Sequence, residues 1–206
     1  MKITIIGSGH VGTALGQGFL RSGHQVSFGV RDESSAKAEV TKTLMTGAIV
    51  TSIEEACRSA EVIIITTPSD AILSLIPQFG NTNDKIIVDA TNSVRTRPEP
   101  FPTAFHAIKE MTASEKVVKC FNTTGFENMI NPIYPGAGGV DMFCAGNDKK
   151  SKAVVQQLAK DLGFSQCWDF GGDEQVELLE KWALCWINLA MRQGYGRDIA
   201  IKILMR

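Results

Sequence analysis

The chain has 206 residues, 44% hydrophobic and 21% charged, with 21 Lys and Arg against 22 Asp and Glu for a formal net charge of −1. This describes one globular domain, or one with a small appendage, and excludes a disordered tail, a collagen-like fibre and a disulfide-dense scaffold. The even charge balance, with no basic run longer than Lys149-Lys150, argues against a nucleic-acid-binding surface. No apolar run approaches the roughly 20 residues that a membrane span needs. The stretch 3–6 behind Met1-Lys2 is far too short for the core of an export signal. The five cysteines include no C-x-x-C pair, so neither a zinc site nor a redox dithiol is indicated. The chain reads as cytoplasmic, with no metal site.

Short β-rich runs alternate with helical patterns, the signature of a parallel α/β sheet. Residues 2–6 read as the first strand, 11–22 as the first helix and 25–30 as the second strand. A polar helix is expected over 34–46 and a short strand over 48–51. Ser52, with Glu55 three residues on, forms a capping box that starts a helix to 58. Residues 61–66 are nearly continuous in β-branched side chains, as strands buried on both faces are. Pro68-Ser69-Asp70 opens the next helix, and 85–90 is the fifth strand. Three prolines between 93 and 102 make that segment a loop. A helix around 103–111, a strand at 117–121 and a Pro/Gly loop at 131–139 follow. Residues 141–145 read as a strand, 149–162 as an amphipathic helix and 164–170 as the final strand. Asp173 is expected to cap a long helix to about 192, with a short terminal helix after Gly194 and Gly196.

Gly7-Ser8-Gly9-His10-Val11-Gly12 is a G-x-G-x-x-G pattern that follows a strand and opens a helix. Gly7 permits the tight turn, Gly9 lets the backbone approach a pyrophosphate, and Gly12 lets the helix pack close to the sheet. The helix N-terminus offers free N–H groups to phosphates. In this context the pattern reads as a dinucleotide site rather than a plain strand–turn–helix corner. The expected fold is a Rossmann-type α/β doubly wound parallel sheet over 1–172. A C-terminal helical extension over 173–206 would complete an acceptor pocket or a dimer interface.

An NAD site usually carries an acid at the tip of the second strand. Here the tip is Val30, followed by Arg31, whose guanidinium suits a 2′-phosphate and an adenine face. Asp32 comes too late and reads as a solvent-facing or helix-capping residue. Lys37 adds a second positive charge, so NADP(H) is expected. Ligands of such sheets sit outside the carboxyl ends of the strands. Thr66-Thr67-Pro68 and Ala90-Thr91-Asn92 are therefore candidate cofactor contacts, although these residue types also start turns and caps. Asn122, Thr123 and Thr124 either line an acceptor pocket or cap a helix near Gly125.

Of the histidines, His10 reads as a phosphate or ribose contact, with proton donation the alternative; His24 and His106 read as structural or solvent-facing. Lys119, inside an apolar strand, reads as a lysine that snorkels to the surface. Leu178, Leu179, Trp182, Trp186 and Leu189 form a broad apolar face on the last long helix, expected to be core or a homodimer interface.

Five stretches carry a wider resemblance: Ile5-Ile-Gly-Ser-Gly-His-Val-Gly12, Gly29-Val-Arg31, Asp89-Ala-Thr-Asn92, Val117-Val-Lys-Cys-Phe-Asn-Thr-Thr124 and Gly194-Tyr-Gly-Arg-Asp-Ile-Ala200. They resemble the NADP oxidoreductase family named for coenzyme F420 (F420H2:NADP oxidoreductase), whose nucleotide domain is shared by the STEAP metalloreductases. The resemblance implies an NADPH domain with a small helical C-terminal piece, usually as a homodimer. It also implies direct hydride transfer between the nicotinamide and a deazaflavin or flavin ring. Val30 stands where the family commonly has Ser or Thr, and Asn92-Ser93 where it has Asn-Pro. Ring-to-ring hydride transfer needs close stacking and exclusion of water more than acid–base residues. The sequence shows no Ser-His-Asp or paired-carboxylate constellation, so no catalytic side chain is expected. An imine or hydroxyacid reductase is one rival; those enzymes resemble one another in a Lys and an Asn four residues apart, whereas Lys181 and Asn188 are seven apart. A redox sensor that binds NADP(H) without turnover is the other.

Overall fold

The β-branched run becomes the centre of the sheet in the protein's computed structural model, which describes residues 1–94 and 96–206. Strand β4 (Val62–Ile65) is buried at every position and lies between β1 (Lys2–Ile6) and β5 (Ile86–Asp89). Outward on one side come β2 (Gln25–Val30) and β3 (Ile49–Ser52), and on the other β6 (Val117–Cys120), all parallel. A small hairpin of β7 (Ile133–Tyr134) and β8 (Gly138–Gly139) stands apart, inside what the sequence presents as a plain Pro/Gly loop. Strand β9 (Asp141–Ala145) then pairs antiparallel with β6, and β10 (Gln166–Asp169) parallel with β9. The order is β10-β9-β6-β5-β4-β1-β2-β3. The expected α/β doubly wound sheet is present, with its last two strands reversed against the rest. Between β6 and β9 lie only the five-residue helix Phe126–Ile130 and the small hairpin, and the chain comes back antiparallel.

Alternating strand residues feed two cores. Ile5 and Ile64 face α1 (His10–Arg21) and, later in the chain, α7 (Lys149–Asp161), through Leu15, Phe19, Val155 and Leu158. Ile6, Ile63 and Ile65 face α3 (Ile53–Ser59), α4 (Ile72–Leu75) and α5 (Ala104–Thr112). Each isoleucine so buried contributes roughly 1.5–3 kcal/mol. Ser52 caps α3, its hydroxyl accepting from Glu55 N at 3.2 Å. The reciprocal half of the capping box is absent, since Ser52 N donates to Glu33 Oε1 at 3.0 Å and Glu55 pairs with Arg58. The remaining helices are α2 (Ala36–Leu44), capped by Ser35, α6 (Phe126–Ile130), entered from Gly125, and α8 (Val176–Ile187). No helix among the described residues is long and apolar enough to cross a membrane.

The C-terminal segment departs from expectation in three ways. Asp173 does not cap the last helix, which is entered from Gly172 through a short 3-10 turn. Its carboxylate instead accepts from Asn147 N, Asn147 Nδ2 and Lys109 Nζ at 2.6–2.9 Å. The broad apolar face of α8 divides: Leu179 and Trp186 are buried and Trp182 is half-buried against Phe143 and Phe170, while Leu178 and Leu189 are 49% and 42% exposed. The short terminal helix is absent. Gly194 and Gly196 take positive φ of 78° and 82°, ending helical geometry. The chain then binds back on β9, with Asp141 N donating to Ile201 O and Ile203 N to Asp141 Oδ2.

Candidate functional site

The turn from β1 into α1 is built as its glycines require. Gly7 adopts φ 113°, and a Cβ there would lie 2.8 Å from Thr66 Oγ1. A Cβ on Gly12 would lie 2.0 Å from the Gly7 carbonyl oxygen, so only glycine lets α1 approach this closely. A Cβ on Gly9 would meet nothing within 4 Å. That open side, next to the N-terminal end of α1, is where a pyrophosphate fits. Thr66 holds the loop from below, its hydroxyl donating to Gly7 O at 2.8 Å.

Two clefts open along this edge, and Pro68 lines both. The smaller, about 400 Å³, runs from Gly7 and Ser8 to the tip of β2 and is lined by Val30, Arg31, Lys37 and Thr67. Arg31 and Lys37 are both exposed, and neither guanidinium nor ammonium has a hydrogen-bond or ion-pair partner among the described residues. Asp32, at the same rim, is engaged locally. Its Oδ1 accepts from the Ser34 hydroxyl at 2.6 Å and Ser34 N at 2.9 Å, which hold its carboxyl below the usual carboxylate range. It closes a turn ahead of α2, whose cap is Ser35. Two unpaired cations beside an acid already engaged suit a phosphate better than a ribose hydroxyl. Thr67 Oγ1 is buried without a partner, an orphan that a bound nucleotide would satisfy.

The larger cleft, about 740 Å³, begins past Pro68 at the ends of β5 and β6. Its floor holds Asn92 and Asn122. Asn92 Nδ2 donates to Asn122 O at 2.9 Å, and Asn122 Nδ2 to Asn92 Oδ1 at 3.0 Å. This leaves Asn122 Oδ1 buried and unpartnered. Just before it, Phe121 takes a left-handed φ of 62° with its ring fully buried. Such a conformation costs on the order of 1–3 kcal/mol and persists only where packing fixes it.

The far wall is aromatic and apolar: Phe126 at the start of α6, and Ala183, Trp186 and Ile187 of α8. A single π-helical segment, Asn188–Arg192, continues α8 there and brings Met191 and Arg192 to the cleft. Arg197 closes the rim. It pairs with both Glu127 carboxylate oxygens and lies 5.2 Å from the Phe126 ring centre and 5.4 Å from that of Trp186. The tail is pinned at Ile199 O, which accepts from Trp186 Nε1 at 2.7 Å and Asn128 Nδ2 at 2.8 Å.

Most of the candidates gather along these two clefts. His10 stacks on Phe126 with ring centres 4.7 Å apart, at the join between the glycine turn and the larger cleft, and Val11 and Thr124 line that cleft. Thr123 does not: its hydroxyl points into the core toward Met142 Sδ at 3.5 Å. Ala90 and Thr91 are buried behind the floor rather than on it. His24 pairs with Asp161 at 3.0 Å and His106 with Thr103 at 2.8 Å, both structural contacts.

Lys119 is the largest correction. It does not reach the surface but is wholly buried, donating to Asp89 Oδ2 at 2.8 Å, Thr91 O at 2.7 Å and Glu180 Oε1 at 2.7 Å. Burial opposes its charge, and the two carboxylates outweigh that, holding its pKa above the ordinary lysine value. Glu180, Phe126, Trp186 and Arg197 were not singled out as site residues in the sequence. For Arg197 the signal was the matching stretch 194–200 alone, since an irregular tail has no periodicity to read.

The model of the family described as NADP oxidoreductase coenzyme F420-dependent matches residues 2–93, from β1 through the turn after β5. Over its whole length the chain resembles a protein of Arthrobacter sp. FB24 provisionally assigned as an F420-dependent NADP-reductase. The two are 25% identical, each chain is covered to 100%, and the TM-score is 0.86. A stretch of 131 residues is 27% identical to a glycerol-3-phosphate dehydrogenase (NAD(P)+) of Thermoanaerobacter sp., covering 57% of this chain and 39% of that protein. A reductive aminase from Aspergillus terreus, solved with NADPH, shares the fold at 19% identity and a TM-score of 0.63, over 93% of this chain and 60% of its own. Residues 2–93 thus resemble the family described as NADP oxidoreductase coenzyme F420-dependent. The family and these relatives are NAD(P)-dependent oxidoreductases, and the expected NADP(H) cofactor agrees with them.

Proposed function

From the match of residues 2–93 to that family, we propose that the protein transfers a hydride between NADP(H) and a deazaflavin (coenzyme F420) or flavin-type ring held in the larger cleft. The observation that carries this reading is the cleft's wall, where Phe126, Trp186, Ile187 and Met191 face the nucleotide path. Flat aromatic rings pack on such walls, and their apolar surface keeps water from the transfer. When bound, NADPH would supply the hydride. Arg31 and Lys37 would hold the 2′-phosphate and the free N–H groups at the start of α1 the pyrophosphate, with Asn122 Oδ1 an acceptor left for the nicotinamide end.

Helix α8 offers the cleft Ala183, Trp186 and Ile187, an apolar wall that suits the face of a ring acceptor. NADPH deuterated at C4, reacted with coenzyme F420, is expected to place deuterium on carbon in the reduced deazaflavin. Consumption of NADPH with an unlabelled product would overturn direct transfer. The reading also places a second copy of the chain on the outward Leu178 and Leu189. Sedimentation at micromolar concentration is expected to show a dimer, and a monomer there would remove this part of the proposal.

A further inference from the structure

Asp89, Lys119 and Glu180 bury two carboxylates around one ammonium behind the floor of the larger cleft. We propose that the net negative charge of this cluster favours the oxidised over the reduced nicotinamide, which makes Asp89 and Glu180 positioning residues that set the cofactor's redox balance. The inference rests on NADP(H) lying along the two clefts with its nicotinamide in the larger one.

The hydrogen bonds define the charge state. Asp89 Oδ1 accepts from Thr91 N at 2.9 Å and Oδ2 from Lys119; Glu180 Oε1 accepts from Lys119 and Oε2 from Ser93 N at 3.0 Å. All four oxygens face donors and none is placed to donate, the pattern of two ionised carboxylates. Lys119 and Asp89 are 0% exposed and Glu180 is 7% exposed, so water screens the cluster little.

Its position follows from the same bonds. Lys119 grips Thr91 O and Glu180 grips Ser93 N, the residues on either side of Asn92, which is itself on the cleft floor. The charge therefore stands directly behind the floor. Along the cleft the other charges of the described residues balance, Asp70 against Arg192 and Glu127 against Arg197. Glu177, Lys181 and Arg97 flank Glu180 on its outer side and are exposed to solvent. Among the described residues these flanking charges stand in water, which screens them, whereas the cluster's own net negative charge is buried.

When NADPH passes a hydrogen and its electron pair from C4 to the acceptor ring, the neutral dihydronicotinamide becomes a pyridinium with one positive charge. A buried negative charge within about 10 Å stabilises that product relative to NADPH. The effect is a difference between two ligands. A contact that merely supports the fold weakens both alike.

The test is calorimetric titration of the full chain with NADP+ and with NADPH at fixed ionic strength. Glu180→Gln and Asp89→Asn are each expected to weaken NADP+ relative to NADPH by about fivefold. Glu180→Asp keeps the charge and is expected to keep the wild-type ratio. A ratio unchanged within twofold in both neutralising variants would overturn the inference. If neither variant folds, the wild type decides: NADP+ bound at least as tightly as NADPH supports the inference, and NADPH tighter by tenfold overturns it. Wild-type protein that binds neither nucleotide would overturn the cofactor reading itself.

Discussion

Arg31→Ala is expected to weaken NADPH binding by about 10- to 100-fold and to change NADH binding by less than about twofold. A charge-assisted hydrogen bond to a phosphate is worth roughly 1.5–3 kcal/mol, and each 1.4 kcal/mol is about tenfold in affinity. Arg31 is suited to that role because no protein acceptor competes for its guanidinium among the described residues, and Lys37 stands on the same cleft. The acid that would favour NADH is already engaged, since Asp32 Oδ1 accepts twice from Ser34. Both cations are exposed, so the preference for NADPH is expected to narrow as salt rises. Titration of both nucleotides against wild type and variant checks this. Equal losses for the two would remove the 2′-phosphate site from the account.

The second large effect is on stability. Lys119→Met leaves the Asp89 and Glu180 carboxylates buried without their ammonium, a loss worth about 3–5 kcal/mol. For a chain of this size that corresponds to a fall in Tm of about 10 °C. The pH dependence has a definite sign. Lys119 has its pKa raised in the folded protein, so its stabilisation is complete below the ordinary lysine value and is lost only as pH rises through the folded one. Across pH 7–9 the deficit of the variant is therefore constant on the lysine side. Thermal unfolding at pH 7 and 9 measures this. A variant within 1 kcal/mol of wild type at pH 7 would show that the cluster does not hold α8 to the sheet.

These two residues also mark what the sequence makes legible. The place of Arg31 is readable because it depends on local order: a strand of known period ends at Val30, and the next residue stands at the rim of the smaller cleft. The glycine turn, the cap at Ser52 and the buried strand expected over 61–66 and found at 62–65 are local in the same sense. Lys119 is not readable, because its partners lie 30 and 61 residues away and a lone lysine in an apolar run looks the same whether it is paired or snorkelling. Thr123 fails for a related reason. The left-handed turn at Phe121 decides which of three consecutive polar residues faces the cleft, and nothing in Asn-Thr-Thr announces that turn. Arg197 reaches back 70 residues to Glu127 from a segment without regular structure, so no pattern of burial or spacing could place it. The reversed edge strands belong here too, since β9 looks like any other buried strand until its pairing partner is known.

The hydride acceptor is the centre of the account, and stopped-flow absorbance answers for it most directly. Oxidation of NADPH, and separately of NADH, is followed on mixing with enzyme and coenzyme F420, FMN or FAD. The account predicts rapid NADPH oxidation with one of these rings and much slower oxidation of NADH. Tight NADPH binding with no oxidation by any ring would contradict it and leave a nucleotide-binding protein whose larger cleft serves another ligand.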